Sequence, residues 1–163
     1  MTWFFNKICV YLSLLRPKQW VKNAFVLAPL LFTGKFLEFS EINKVAIATI
    51  LFCIASSSVY IINDIHDLEK DRLHPIKSIK RPLASGDITV PKALIVLLIL
   101  YMILFFGLIF YPRISSIIFV YILLNFFYTY LFKHIPVVDI FTIATGFVLR
   151  VVVGAVALAV PVS

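Results

Sequence analysis

Residues 45–71 read VAIATILFCIASSSVYIINDIHDLEKD, and the break within them decides the fold. From Val45 to Asn63 there is no charged side chain, with Lys44 on one side and Asp64 on the other. A helix rises about 1.5 Å per residue, so such a run covers the roughly 30 Å hydrocarbon layer of a bilayer. Beyond Asn63 the chain turns polar: Asp64, Asp67, Glu69 and Asp71 are interleaved with Lys70 and Arg72. The pattern predicts a membrane-spanning helix that delivers acids at its end.

Composition agrees. The protein has 163 residues, 62% hydrophobic and 14% charged, with a mean hydropathy of +1.03. A soluble domain is nearer half apolar and needs more charge to cover its surface. The expected class is an all-α integral membrane protein. The net charge of +7 comes from basic residues that flank apolar runs, so no nucleic-acid partner is expected. Cys9 and Cys53 lack a metal-type partner at short spacing and read as free thiols. Arg16-Pro17-Lys18 interrupts the first apolar stretch with no small-residue cleavage pattern after it, so no cleavable signal is expected.

Working outward, Ala93–Pro112 is free of charge between Lys92 and Arg113, and Ile114–Phe132 between Arg113 and Lys133. Two stretches are less regular. Asn23–Gly34 reaches spanning length only if its helix starts near Pro17, which suits a first turn. Trp20 would then lie at headgroup level. Val137–Val160 is long enough but carries Asp139 and Arg150. The expectation is one membrane domain, 1–163, with spans near 17–34, 44–63, 92–112, 114–132 and 137–160. Trp3, Phe4, Ile8, Tyr11, Leu12 and Leu15 suit a helix lying in the interface. Lys7, Arg16, Lys18 and Lys22 precede the first span, and Lys70, Arg72, Lys77, Lys80, Arg81 and Lys92 follow the second. The opposite side holds only Lys35, Lys44 and Arg113, so the N-terminus and the 64–91 loop are expected to be cytoplasmic.

If the second span continues as a helix through the acids, Asp64, Asp67 and Asp71 fall at i, i+3 and i+7 on one face, with Asn63 beside Asp67 and Glu69 turned away. Carboxylates so aligned repel one another and need a cation. Such oxygen ligands suit magnesium, which is commonly shared between one or two carboxylates and substrate phosphates. Arg72, Lys77 and Arg81, with Lys70 and Lys80, supply groups that phosphate oxygens require. The plain alternative is a solvated loop whose charges pair with each other. Face-matched acids at the end of a spanning helix favour a magnesium–diphosphate site.

Here the sequence resembles the UbiA superfamily of intramembrane prenyltransferases. Its N-D-x-x-D-x-x-x-D signature is similar to Asn63-Asp64-Ile65-His66-Asp67-Leu68-Glu69-Lys70-Asp71, followed by Arg81-Pro82-Leu83-Ala84-Ser85-Gly86 and preceded by Arg16-Pro17. The decaprenyl-phosphate phosphoribosyltransferase branch is the nearer likeness, carried by Leu15–Asn23, Asp71–Lys77, Lys133–Asp139 and Gly146–Arg150. The resemblance implies transfer of a 5-phosphoribosyl group from phosphoribosyl diphosphate to a polyprenyl phosphate in a bacterial inner (plasma) membrane. Magnesium would be held by Asn63, Asp64, Asp67 and Asp71, with Asp64 and Asp67 catalytic. Lys18, Lys22, Arg72, Lys77 and Arg81 would serve the phosphates of donor and acceptor. Family members have about nine spans and a second acidic motif, against about five spans here by length. The expectation is an N-terminal part of a UbiA-like bundle, as a fragment or with a partner supplying the rest.

Two alternatives stay open. A prenyl diphosphate could replace the phosphoribosyl donor, with an aromatic or other acceptor. Asp139, Thr142, Gly146 and Arg150 fall near one face of the last span. Arg150 there either pairs structurally with an acid of the bundle or meets the lipid phosphate. A transporter would spread ionisable groups through several spans, whereas here they gather at one mouth. His66 and His134 read as polar loop or interface groups, the aromatics Phe126, Phe127, Tyr128 and Tyr130 as an interfacial belt or packing, and Ser56, Ser57 and Ser58 as small residues for close helix packing.

Overall fold

The computed structural model describes residues 2–161, with side chains from Ile8 onward except that of His134. Described residues form helices and turns, and no strand occurs among them. In order they are α1 (Thr2–Leu15), a 3-10 helix (Pro17–Leu27), α2 (Ala28–Phe32), α3 (Phe39–His66), α4 (Leu68–Leu73), α5 (Lys77–Lys80), α6 (Val90–Phe110), α7 (Pro112–Tyr130) and α8 (Pro136–Ala157). The short 3-10 turns Lys35–Leu37 and Phe132–His134 join neighbours.

Four helices, α3, α6, α7 and α8, are long and apolar enough to cross a membrane. They overlap the last four stretches expected to span. The first expected span is built differently: a 3-10 helix of 11 residues runs into five residues of α-helix. The tighter coil rises about 2 Å per residue, so the two together extend about 30 Å with fewer residues than an α-helix would need. Pro17 and Pro29 remove backbone donors from this stretch, and its polar side chains are tied to α3. Trp20 Nε1 donates to Ser57 Oγ at 3.0 Å, and Asn23 Nδ2 donates to Ser56 Oγ at 3.1 Å. The indole expected at headgroup level is therefore tied to α3. The serines permit close approach, as expected, and are also the polar seats that receive this segment.

α3 is the central post. Of its apolar stretch 56% is buried in the bundle, against 17% for α6, which faces outward. One apolar cluster joins α3 to α7, α8 and the 3-10 helix through Val26, Val45, Phe52, Ile118, Tyr121 and Val153. The other joins α3 to α1 and α6 through Leu14, Ile61, Ala93 and Leu97. Leu83 and Ile88 plug the second cluster, pinning the 81–89 loop against it. Gly86 takes the turn at φ 86°, a conformation that favours glycine. Ser85 N–H donates to the Arg81 carbonyl and Ile88 N–H to that of Pro82, so the loop holds Arg81 in place. α1 occupies the stretch expected as an interfacial helix, and Ile8, Tyr11 and Leu12 are exposed on it. The side chains of Trp3, Phe4 and His134 lie outside the described residues.

Candidate functional site

α3 ends at His66, and Asp67 (φ −92°, ψ 10°) turns the chain into α4. The uniform 100° step per residue assumed for the acids therefore stops at Asp67. Asp64 and Asp71, both 2% exposed, come together on one side. Arg81 bridges them: its Nη1 lies 3.1 Å from Asp64 Oδ1 and donates to Asp71 Oδ2. Arg16 donates to Asp64 Oδ1, and Lys77 Nζ stands 3.4 Å from Asp71 Oδ1. Asp67 departs from the expected face. Lys133 Nζ donates to it at 2.5 Å, and His66 Nδ1 is 3.1 Å away. The kink takes Asp67 out of the row of carboxylates and gives it its own partners, while Asp64 and Asp71 stay together and share Arg81. His66 borders the cluster, exposed at the end of α3 with its ring edge-on to Tyr130 at 4.7 Å.

Burial acts to raise the pKa of Asp67, but its bonds to Lys133 and His66 hold the carboxyl below its usual range. A carboxylate with a depressed folded pKa contributes stability above its unfolded pKa, and loses it as pH falls through the folded one. In thermal unfolding, the gap between wild type and Asp67→Asn will hold at neutral pH and close only under acid conditions below the ordinary carboxylate range. A gap that is flat across that acid range would contradict the ion pair.

Arg16 holds an uncommon backbone, φ 53° and ψ 56°, immediately before Pro17. Left-handed geometry in a non-glycine costs on the order of 1–3 kcal/mol and persists where surroundings enforce it. Here the guanidinium is fixed by Asp64 and lies 5.1 Å above the Tyr60 ring. Arg16 and Lys133 are site residues that sequence reading used only for family likeness and topology. The Arg16-Pro17 pair and the position of Lys133 at a span boundary were the available signals.

The other expected residues are dispersed. Lys18, Lys77 and Arg81, with Arg16 and Lys80, line a cavity of about 700 Å³ between the end of α1 and the α5 loop. Lys22 and Arg150 line a separate, half-open cavity of about 240 Å³ bordered by α3, α7, α8 and the 3-10 helix. Tyr60 lines that one too, a single helical turn before Asp64. Arg72 pairs with Glu69 at 2.9 Å on the exposed side of α4, away from both cavities. Asn63 is partly buried beside Asp64, its carbonyl accepting from Asp67 N–H. Asp139 has a buried Oδ1 with no hydrogen-bond partner among the described atoms.

No group of three His, Cys, Asp or Glu side chains among the described residues is arranged to hold a metal ion. The residues present suit a different mode. Asp64 and Asp71 already converge on one cationic group, and two carboxylates plus phosphate oxygens are what magnesium commonly takes.

Comparison with known proteins adds identity to geometry. Residues 24–163 match the family described as UbiA prenyltransferase family. A decaprenyl-phosphate phosphoribosyltransferase of Corynebacterium glutamicum is 42% identical over 157 residues, covering 91% of this chain and 46% of that one. Proteins of the same name from Mycolicibacterium smegmatis and Mycobacterium tuberculosis are 35% and 33% identical; the matches take in 97% of this chain and 51% and 54% of theirs. The chain spans about half the length of the curated relatives it matches. The likeness to this family, and to its decaprenyl-phosphate phosphoribosyltransferase members, is borne out.

Proposed function

We infer the reaction from one premise: the chain belongs to the UbiA prenyltransferase family. It takes part in transferring a 5-phosphoribosyl group from phosphoribosyl diphosphate to a polyprenyl phosphate such as decaprenyl phosphate. The bond from ribose C1 to the diphosphate oxygen breaks, a lipid phosphate oxygen bonds to C1, and pyrophosphate leaves. The observation that carries this is the pair of buried aspartates, Asp64 and Asp71, joined through Arg81 beside a basic cavity. The names of the relatives favour the phosphoribosyl donor over a prenyl one.

In this reading Asp64 and Asp71 hold magnesium, with Asn63 and Asp67 within the same motif. When bound, the ion neutralises charge building on the leaving diphosphate. Arg81 and Lys77 meet phosphate oxygens, and Lys18 closes the cavity from the other wall. Arg16 orients Asp64. Asp64 is catalytic by this account, and Asp67 positions the turn through Lys133.

Labelled phosphoribosyl diphosphate and a labelled prenyl diphosphate, each supplied with polyprenyl phosphate and an aromatic acceptor, test the donor. Magnesium-dependent incorporation from the first, lost with chelator, is expected. Incorporation from the prenyl donor alone would overturn the choice. The membrane is the bacterial inner membrane, with the N-terminus and the 64–91 loop on the cytoplasmic side. A reporter inserted near Asp87, which is exposed, will read as cytoplasmic, and an external signal would reverse the topology.

A further inference from the structure

Arg150 lies in the middle of a membrane-spanning helix, is 5% exposed, and has no carboxylate within ion-pair distance among the described residues. A buried cation usually sits beside an acid, because desolvation otherwise opposes it. Asp139, the acid on the same helix, is eleven residues back, a rise of about 16 Å. Neutral groups hold the guanidinium instead. Nε donates to Asn23 Oδ1 at 2.9 Å, Nη1 to the Gly146 carbonyl at 2.7 Å, and Nη2 reaches Tyr121 Oη at 3.4 Å. Its carbon stands 5.0 Å, 5.2 Å and 5.3 Å from the ring centres of Phe52, Tyr121 and Phe147. Such partners orient a cation without cancelling its charge. Of five guanidinium donors, some remain unused.

The charge faces a cavity. Arg150 and Lys22 both line the 240 Å³ space, and its lining includes no acid. Tyr60, Tyr121, Tyr128, Asn125 and Thr142 add polar groups around it. Two cations with no acid in the lining, Arg150 buried and Lys22 exposed at the mouth of a half-open, largely apolar pocket, suit a compact dianion with several oxygens. We propose that Lys22 and Arg150 form a phosphate-monoester subsite, separate from the aspartate-flanked diphosphate mouth and one helical turn of α3 away from it. The inference rests on the proposed transfer reaction, in which both partners carry a monoester: the lipid phosphate and the ribose 5-phosphate.

Binding to the whole chain in nanodiscs, without magnesium or diphosphate donor, tests it by calorimetry. The probes are farnesyl phosphate, ribose 5-phosphate and farnesol. At least one monoester will bind. Arg150→Gln and, separately, Lys22→Gln will weaken it roughly tenfold to a hundredfold, the range for charged hydrogen bonds, while Arg150→Lys retains part of the affinity. Farnesol binding will be unmoved by either Gln variant. Farnesyl phosphate as the sensitive probe assigns the subsite to the acceptor, and ribose 5-phosphate assigns it to the donor. Lys22→Gln keeps the test readable if Arg150→Gln fails to fold. Absence of monoester binding, or binding indifferent to both Gln variants, overturns the subsite. That result leaves the diphosphate reading standing, since donor retention at Asp64 is measured with magnesium.

Discussion

Replacing Asp64 with alanine will, under the proposed reaction, lower phosphoribosyl transfer by about 10²–10³-fold, the usual cost of removing one well-placed electrostatic contact. The side chain is 2% exposed and receives both Arg16 and Arg81, whose own side chains are only 21% and 19% exposed. Breaking a buried pair from one side costs about 3–5 kcal/mol, because the remaining charge is stranded. The loss here belongs at the lower end, since Arg81 keeps Asp71 and both arginines retain some water. Arg16 has more to lose, for its left-handed backbone is held in part by this bond. Asp64→Asn separates the two effects. It keeps the shape and an acceptor, so unfolding shifts less, while transfer falls nearly as far. Thermal unfolding in detergent and incorporation of labelled phosphoribose measure the two. Near-normal transfer by either variant would remove Asp64 from the metal site.

The spans were legible where charge alone marks their ends: Lys44 and Asp64, Lys92 and Arg113, Arg113 and Lys133 bound runs that the bilayer thickness explains. The first expected span was not: a 3-10 helix leads into five residues of α-helix there, tied to serines of α3 more than thirty positions away, which accept from Asn23 and Trp20. The acid motif was legible as chemistry and misleading as geometry. Local helical periodicity put Asp67 with Asp64 and Asp71, but Lys133, 66 residues on, draws it elsewhere. Arg150 was visible as an anomaly and undecided in role. Its settling partner, Asn23, is 127 residues distant, and a lone asparagine at the edge of an apolar run gives no hint of that pairing.

Gly154→Val will disrupt the seat of the 3-10 helix on α8. A Cβ at Gly154 would overlap the carbonyl oxygen of Val26 and stand 3.1 Å from Pro29 Cδ. Extra methylenes in a packed core cost about 1–3 kcal/mol when side chains can shift. The obstacle here is backbone, so the loss reaches or passes the top of that range. Gly107 provides the contrast: its nearest neighbour is Leu51 Cδ2 at 3.0 Å, the end of a mobile side chain, and Gly107→Ala will cost far less. The damage at Gly154 also travels. Asn23 and Val26 are three apart on a 3-10 helix and share a face, while Arg150 lies one turn from Gly154 on α8. Pushing the two segments apart stretches the bond from Arg150 Nε to Asn23 Oδ1, so anion binding in the cavity will weaken alongside stability. Unfolding midpoints for the Gly154 and Gly107 variants check the packing. A Gly154→Val chain that unfolds with the wild type would mean that α8 and the 3-10 helix do not meet backbone to backbone.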